Sequence, residues 1–399
     1  MKIKITGAPT TMNIYIQTQG ARLVREGRHL LVKKGEDTYH TLFVEKLRQI
    51  VLFGNIEITP PARATLLRHG VDTIFCSRDG RYLGRFATPE PKNVMLRKRQ
   101  FTLLDDQAFG LDLCRQIVTG KLLNMVTLLM RVNRTRKRDE PRRAAKEIRS
   151  LFDSLAKAQS IDSIRGYEGR ASAIYFGAFR WGFQHDYGFC RRVRRPPTDP
   201  VNAVLSLLYT FLFNRMYAAI RQANLDPHPA FLHVPDYGRH SLVMDLMEEF
   251  RVIIADTLTL SLFNLKILQQ DDFRLEYPKP VIEQTEPGVD PTIDITADPY
   301  GHMSDLDCRP HFDLPSQRMG EDSVQDLDTE YGGGKPAVKL KDDAFRRVVE
   351  NFERKMTTEF HYPPEERTIT YGDALIAQAG MYRKVIEGSL RVYQPLLLK

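Results

Sequence analysis

The chain has 399 residues, of which 42% are hydrophobic and 27% charged, and its formal net charge is +8 at pH 7. This composition is typical of a globular protein with enough residues for two domains. No segment reaches the ~18 uninterrupted apolar residues of a membrane helix. The first residues, MKIKITGAPTT, lack the apolar core of a signal peptide. We therefore expect a cytoplasmic protein that does not enter a membrane.

The cysteines favour the same compartment. Cys76, Cys114, Cys190 and Cys308 are far apart and form no CxxC pair. This spacing argues against zinc and disulfide frameworks and fits a reducing cytoplasm.

The charge is unevenly distributed along the chain. Residues 283–330 hold 13 acidic and 2 basic side chains, whereas residues 131–149 hold nine Arg or Lys against three acids. A second basic cluster, RRVRRPP, spans 191–197. Arg-rich clusters favour a polyanion as partner, because guanidinium groups pair well with phosphates. A charged solvent face is the alternative reading of either cluster.

Residues 12–87 read as a small β-sandwich, preceded by an extension of residues 1–11. Short β-branched and aromatic runs between glycines predict strands, and a Thr-Pro start signal predicts one helix at Pro61–His69. The predicted strands are Ile14–Gln17, His29–Val32, Ile50–Leu52, Thr73–Cys76 and Tyr82–Phe86. Residues 88–96, which include TPEPKN, are expected to form a linker.

From residue 97 to 399 the pattern is helical, so the fold class is α+β with a larger all-α second domain. The predicted helices are 97–135 (broken near Gly110), 140–158, 162–184, 200–223, 242–268, 341–357 and 371–388. The helix 200–223 is apolar on most faces and should lie at the centre of the core. The Asp- and Pro-rich tract 277–338 is expected to be a flexible insertion.

One helix carries a set of three carboxylates after a loop with a histidine. Ser241 is predicted as the N-cap, and Asp245, Glu248 and Glu249 follow at helical spacing, so they share one side of the helix. Three like charges repel one another unless a cation lies among them. With His233 from the preceding loop they could form a hard-metal site. The alternative is a solvated acidic face neutralised by Arg239 and Arg251.

A further carboxylate, Glu168, lies on a helix of small and apolar residues. Partial burial would require a partner for it. Arg165 or Arg170 could supply an ordinary ion pair, or Glu168 could join His233 and Glu248 as three ligands suited to Mg²⁺ or Mn²⁺.

Several ordered segments together resemble one known family. They are YEGRASAIYF (167–176), RVRRPPTDPVNAVLS (192–206) and FLHVPDYGRHSLVMDLMEEFR (231–251), with further matches in 53–59, 78–86, 378–379 and 393–395. This combination is similar to CRISPR-associated protein one, the catalytic subunit of the spacer-adaptation machinery. The resemblance covers about 12–275 and 340–399.

The resemblance implies a dimerising N-terminal β-sandwich and a helical catalytic domain. It assigns Glu168, His233 and Glu248 to the metal-ligand positions and Asp245 to a supporting acidic position. It implies a DNA integrase that inserts short duplexes into a CRISPR repeat by direct transesterification with a 3′-hydroxyl, using Mg²⁺ or Mn²⁺. A homodimer and a small ferredoxin-like companion protein are the implied protein partners.

Phosphate contacts are expected mainly from the second basic cluster, because it lies between two catalytic segments. The candidate DNA-binding residues are Arg191, Arg192, Arg194, Arg195, Asn202 and Tyr167. Two other functions remain open: a metal-dependent endonuclease acting on branched or single-stranded DNA, and a DNA-binding scaffold without catalysis.

Overall fold

A computed structural model describes residues 12–78, 82–86, 93–193, 196–277 and 336–398. The sequence predictions for the 1–11 extension, most of the 88–96 linker, Arg194, Arg195 and nearly all of the acidic insertion lie outside the described residues.

The N-terminal region contains two four-stranded sheets and one helix. The strands are β1 (Met12–Ile16), β2 (Arg22–Glu26), β3 (His29–Lys34), β4 (Asp37–Phe43), β5 (Leu47–Phe53), β6 (Glu57–Ile58), β7 (Asp72–Cys76) and β8 (Tyr82–Arg85), with helix α1 (Pro60–Arg68) before β7. One sheet has the order β1-β5-β7-β8, with β1, β5 and β7 parallel, and the other has the order β4-β3-β2-β6. The two sheets share a hydrophobic core, while their face-to-face sandwich arrangement stays a prediction.

Strand β5 joins this region to the rest of the protein. Successive side chains of a strand point to opposite faces. Ile50 and Leu52 therefore enter the N-terminal core, whereas Val51 and Phe53 enter the core of the helical region. A strand that is buried on both faces needs the continuous apolar run that β5 has.

The second region is largely helical, as the sequence predicts. Its helices are α2 (Val94–Thr102), α3 (Gln107–Arg136), α4 (Asp139–Ser150), α5 (Phe152–Ala156), α6 (Ile161–Phe179), α7 (Pro200–Gln222), α8 (Ser241–Phe250), α9 (Thr257–Asn264), α10 (Asp342–Thr357) and α11 (Tyr371–Glu387). It is not all-helical, because two pairs of antiparallel strands complete it: β9 (Phe273–Glu276) with β10 (Ala337–Leu340), and β11 (Glu359–Tyr362) with β12 (Arg367–Thr370).

Helix α7 lies in the core, as predicted. Asp199 caps it by accepting a hydrogen bond from the backbone N–H of Asn202 at 2.8 Å, and Pro200 occupies the first turn. By length and composition α7 could cross a membrane, but 67% of its most apolar window is buried inside the protein. Its apolar character is therefore explained by core packing.

Two local predictions are corrected by the structure. The predicted helix 97–135 breaks at Leu103–Asp105 and restarts behind Asp106, whose side chain caps α3 by accepting from Phe109 N–H at 3.0 Å. Gly110 instead lies inside α3. Ser241 is the first residue of α8 rather than its cap, and its hydroxyl donates to the Val234 carbonyl at 3.1 Å.

Candidate active site

The loop that carries His233 is fixed by a single buried carboxylate. Asp245 on α8 is 1% exposed and accepts hydrogen bonds from the backbone N–H groups of Phe231, Leu232 and His233 at 2.9–3.1 Å. It also lies 2.7 Å from His233 Nδ1. A carboxylate can only accept there, so Nδ1 carries a proton, and in the neutral form of the ring Nε2 keeps its lone pair. That Nε2 lies 3.8 Å from Glu248 Oε1.

The absence of a side chain at Gly110 supports the same loop. A Cβ at this position would lie 2.8 Å from Cδ1 of Phe231. The Phe231 ring can therefore pack directly on α3, two residues before His233.

Glu168 and Glu248 meet at one lysine. Lys121 on α3 forms an ion pair with Glu168 on α6, and its Nζ lies 2.6 Å from Oε2 of Glu248 on α8. Ser172 donates to Glu168 at 2.8 Å. The side chains of Lys121 and Glu248 are 7% and 3% exposed, so this cluster is largely shielded from water. One ammonium group therefore bridges the two carboxylates.

The charges of this cluster hold one another in their ionised forms. Burial raises the pKa of Glu248, but the neighbouring charges, Arg251 first and Lys121 next, outweigh it and lower the pKa to about 2. Burial likewise raises the pKa of Glu168, but the Lys121 ammonium outweighs burial and holds that pKa below its usual value. Burial lowers the pKa of Lys121, but Glu168 and Glu248 hold it above its ordinary value. Both carboxylates are therefore anionic at neutral pH.

Helix α8 ends in a π-helical turn, Arg251–Asp256, a feature frequent at functional sites. Arg251 pairs with Glu248 at 3.0 Å and lies over the ring of Tyr209, 5.1 Å from its centroid. Asp256 accepts hydrogen bonds from Tyr175 and Tyr209 at 2.8 Å each, and burial raises the pKa of Asp256 to about 6. This network fixes the position of the Arg251 guanidinium beside Glu248.

The residues present fit a divalent cation. Two anionic carboxylates and a neutral imidazole nitrogen suit Mg²⁺ or Mn²⁺. Oε2 of Glu248 is buried and, among the described residues, accepts no hydrogen bond of regular geometry. No group of three His, Cys, Asp or Glu side chains in the described ranges is arranged to hold a metal ion as it stands. The ammonium of Lys121 takes the central position between Glu168 and Glu248.

The predicted patch of three carboxylates on α8 does not form. Asp245 turns to the His233 loop and Glu248 to Lys121. Glu249 points away, accepting from Gln378, the Tyr393 hydroxyl and Leu396 N–H. Burial raises the pKa of Glu249 to about 8. All three are buried, so the alternative of a solvated acidic face is wrong as well.

A family model described as "CRISPR associated protein Cas1" matches residues 14–281. The chain belongs to the Cas1 family. A relative from Rhodospirillum rubrum named CRISPR-associated endonuclease Cas1 2 is 33% identical over 277 residues, which are 65% of this chain and 78% of the relative. The relative from Thermus thermophilus named CRISPR-associated endonuclease Cas1 1 is 37% identical over 64% of this chain and 77% of its own length. The family resemblance noted from the sequence is thereby confirmed.

Solved structures share the fold. A Cas1 protein from Thermotoga maritima matches with a TM-score of 0.70 and 19% identity, covering 96% of this chain and 99% of that one. A casposase bound to integration product matches with a TM-score of 0.71, 17% identity and coverage of 96% and 92%. A Cas6-RT-Cas1–Cas2 complex contains a chain that matches with a TM-score of 0.73 and 22% identity, covering 98% of this Cas1 chain and 37% of that chain.

The candidate DNA-binding residues divide into exposed and structural ones. Arg191 is exposed. Arg192 donates to the Asn202 amide oxygen and the Ser206 hydroxyl at 2.9 Å, which ties the loop to α7. Asn202 is fully buried, and its amide also donates to the Arg191 carbonyl and Asp199. The prediction that Asn202 contacts DNA is therefore corrected: it lies in the first turn of a core helix and orders the arginine loop.

Tyr167 precedes Glu168 on α6 and is half-buried against the helical core. One side of the Tyr167 side chain packs on the core, and the other is accessible to solvent. Its DNA contact stays a prediction.

Sequence reasoning missed Lys121. Its candidates for the partner of Glu168 were Arg165 and Arg170, but Arg165 binds Asp162 and the Leu232 carbonyl, and Arg170 lies 3.7 Å from Glu147. The available signal was a lysine within the apolar run VTGKLLNMV of α3, a position where an unpaired charge would be costly.

Proposed function

We propose that this Cas1 chain is a metal-dependent DNA integrase that inserts short duplex DNA into a CRISPR array. The observation that carries the proposal is the convergence of Glu168, Glu248 and His233. They come from α6, α8 and a loop, and the His233 Nε2 lone pair faces Glu248. The proposed metal ligands are these three residues.

The reaction is a transesterification in which the number of phosphodiester bonds is conserved. The 3′-oxygen of the incoming duplex forms a bond to phosphorus at the edge of the repeat, and the existing P–O bond to the neighbouring 3′-oxygen breaks. The proton of the attacking hydroxyl is released, and the departing oxygen takes one up. A bound Mg²⁺ or Mn²⁺ would lower the pKa of the attacking hydroxyl and neutralise charge at phosphorus.

The surrounding residues prepare this site before DNA arrives. Asp245 fixes the His233 tautomer and ring orientation. Lys121 and Arg251 keep Glu248 anionic. Burial of the cluster strengthens each of these interactions, because water does not screen them.

The partners follow from the family and the charge distribution. The exposed Arg191 and the neighbouring arginines would bind backbone phosphates of the prespacer and repeat duplexes rather than read bases. We further propose a homodimer through the N-terminal region. A companion protein of the Cas2 kind belongs to the same proposal, because the structurally similar Cas6-RT-Cas1 chain forms a complex with Cas2. Cytoplasmic location is proposed with it.

A metal-dependent endonuclease is the second candidate. The names of the curated relatives favour it, since they are CRISPR-associated endonucleases. The same ligand set would then position water instead of a 3′-hydroxyl.

One assay separates these functions. A duplex with 3′-hydroxyl ends is incubated with a supercoiled plasmid bearing a repeat, in Mg²⁺ or Mn²⁺, with and without the companion protein. Joined products support the integrase, and DNA that is only nicked or shortened supports the endonuclease. If neither product forms while the duplex still binds, the chain is a non-catalytic scaffold.

Matched variants show whether the assigned residues carry the reaction. Glu168→Gln should abolish joining and leave duplex affinity nearly unchanged, because it removes a metal ligand and no phosphate contact. Glu147→Gln, at an exposed acid on α4, should behave as wild type. Loss of duplex binding in the Glu168 variant would make Glu168 a structural residue and refute its assignment.

A further inference from the structure

A cavity lined by two cationic side chains lies apart from the candidate metal ligands. Its volume is about 200 Å³, and its walls come from α3, the π-helical turn, α9, α10, α11, β11 and the segment Leu396–Leu398. Arg131 and Lys355 supply its positive charges. Arg131 follows Lys121 by ten residues on α3, so it lies about 15 Å further along the helix axis.

The two cations have no anionic partner in the described ranges. Neither Arg131 nor Lys355 forms an ion pair with a described carboxylate. Burial lowers the pKa of Lys355 to about 8, with the nearby Arg131 as the second cause. Two like charges held together in a half-buried cavity are unfavourable unless an anion binds between them.

Aromatic rings hold the lysine in place. The Tyr371 ring stacks on Phe360 with centroids 4.4 Å apart and planes inclined by 15°. The Lys355 ammonium lies 4.4 Å from the centroid of the same Tyr371 ring. Because one face of the Tyr371 ring cannot contact both groups, Phe360 and the Lys355 ammonium lie on opposite faces of this ring. The exposed His361 also lines the cavity, with its Nε2 3.3 Å from Glu366.

We propose that this cavity binds the phosphate group of a nucleotide unit, with Arg131 and Lys355 as the two cationic contacts. A guanidinium offers paired donors to phosphate oxygens, and an ammonium adds a point charge, so one phosphate would neutralise both. The cavity exceeds the volume of a few water molecules. It therefore has room for a sugar beside the phosphate, next to the apolar wall of Phe360 and Leu396. A free mononucleotide and a DNA strand both offer this chemistry.

Calorimetric titration tests the site directly. The probes are deoxyadenosine 5′-monophosphate and deoxyadenosine, which lacks the phosphate, and EDTA is present so that no divalent metal contributes. The nucleotide should bind and the nucleoside should not. Replacing both cations, by Arg131→Gln with Lys355→Met, should weaken binding by at least about tenfold. Arg354→Gln, an exposed neighbour on α10, should leave it within about twofold of wild type.

Displacement of the bound mononucleotide by single-stranded DNA identifies the source of the phosphate. Displacement only by a strand with a terminal phosphate indicates a strand end, and equal displacement by a strand with terminal hydroxyls indicates the DNA backbone. No displacement by either strand indicates the free nucleotide. All three results require the cavity to bind phosphate.

A measurement on the wild-type protein does not depend on the folding of any variant. The lowered pKa of Lys355 makes its amine react readily with an acylating reagent near pH 8. The nucleotide should protect Lys355 from acylation, while the exposed Lys146 should react equally with and without it. The proposal is refuted if the nucleotide does not bind, or if it binds without protecting Lys355 and with equal affinity in the double variant. Because metal is absent throughout, these results stand apart from the integrase assay.

Discussion

At the residue scale, Lys121 places one ammonium group between two carboxylates that the family motif assigns to metal binding. Its charge substitutes for a cation in a cluster that would otherwise repel itself. A divalent ion bound by these two carboxylates would therefore compete with this ammonium for the same electrostatic position.

Lys121→Met tests that competition. Without metal the variant should lose about 3 kcal/mol of unfolding free energy, because Glu168 and Glu248 would face each other buried and without their shared cation. Mn²⁺ should restore more stability to the variant than it adds to the wild type. Urea denaturation with and without Mn²⁺ measures both effects, with the exposed Lys146→Met as the control. An equal effect of Mn²⁺ on both proteins would show that the ammonium does not oppose the metal.

Glu249 gives a pH-dependent prediction that does not involve the metal. Its pKa is raised to about 8 in the folded protein by burial, whereas the unfolded side chain titrates near 4.5. The folded state then retains a proton that the unfolded state loses, so stability falls as pH rises from about 4.5 to about 8.

Glu249→Gln removes this titration. The stability of wild type minus that of the variant should fall by up to about 1.4 kcal/mol per pH unit within that window and be flat above it. Urea denaturation at a series of pH values checks the slope. A constant difference would mean that the Glu249 carboxylate is already ionised when folded.

At the element scale, helix α3 is held in position by close contacts at two of its glycines, and this fixes where the Lys121 side chain lies. A Cβ at Gly120 would collide with the Pro395 ring, and one at Gly110 would press on Phe231. Helical glycines normally cost stability, so their presence here is explained by packing.

Gly120→Ala should therefore destabilise the protein by about 2 kcal/mol through overpacking, although alanine favours a helix. Gly177 on α6 has nothing within 4 Å of its would-be Cβ, so Gly177→Ala should stabilise by up to about 1 kcal/mol. Thermal and urea unfolding of the two variants compare them directly. If Gly120→Ala were also stabilising, the C-terminal segment would not be held against α3 as described.

Secondary structure was predictable where one periodicity dominates. Helices α7, α10 and α11 lie within one or two residues of their predictions. Strands β2, β4 and β6 were missed, since β2 and β4 carry mainly exposed side chains and β6 has two residues. The π-helical turn after Glu248 was beyond prediction, because its apolar spacing resembles a continuous helix.

At the scale of the whole molecule, the site depends on contacts between distant parts of the chain. The motifs predict Glu168, His233 and Glu248 as one set, but their partner Lys121 lies on a helix that no local pattern connects to them. The same holds for Gln378, the partner of the neighbouring Glu249. The junction between the N-terminal and helical regions also depends on contacts between distant residues. Glu353 on α10 binds Arg215 on α7 and accepts from the Tyr15 hydroxyl of β1 at 2.5 Å. Such partners are set by tertiary packing.

Titration with Mn²⁺, followed by the paramagnetic resonance of the free ion, tests the central claim most directly. Glu168, His233 and Glu248 should form one shared site. The wild type should therefore show a tight site that is lost in Glu168→Gln, His233→Ala and Glu248→Gln and retained in Glu147→Gln. Undiminished tight binding in all three site variants would contradict the account.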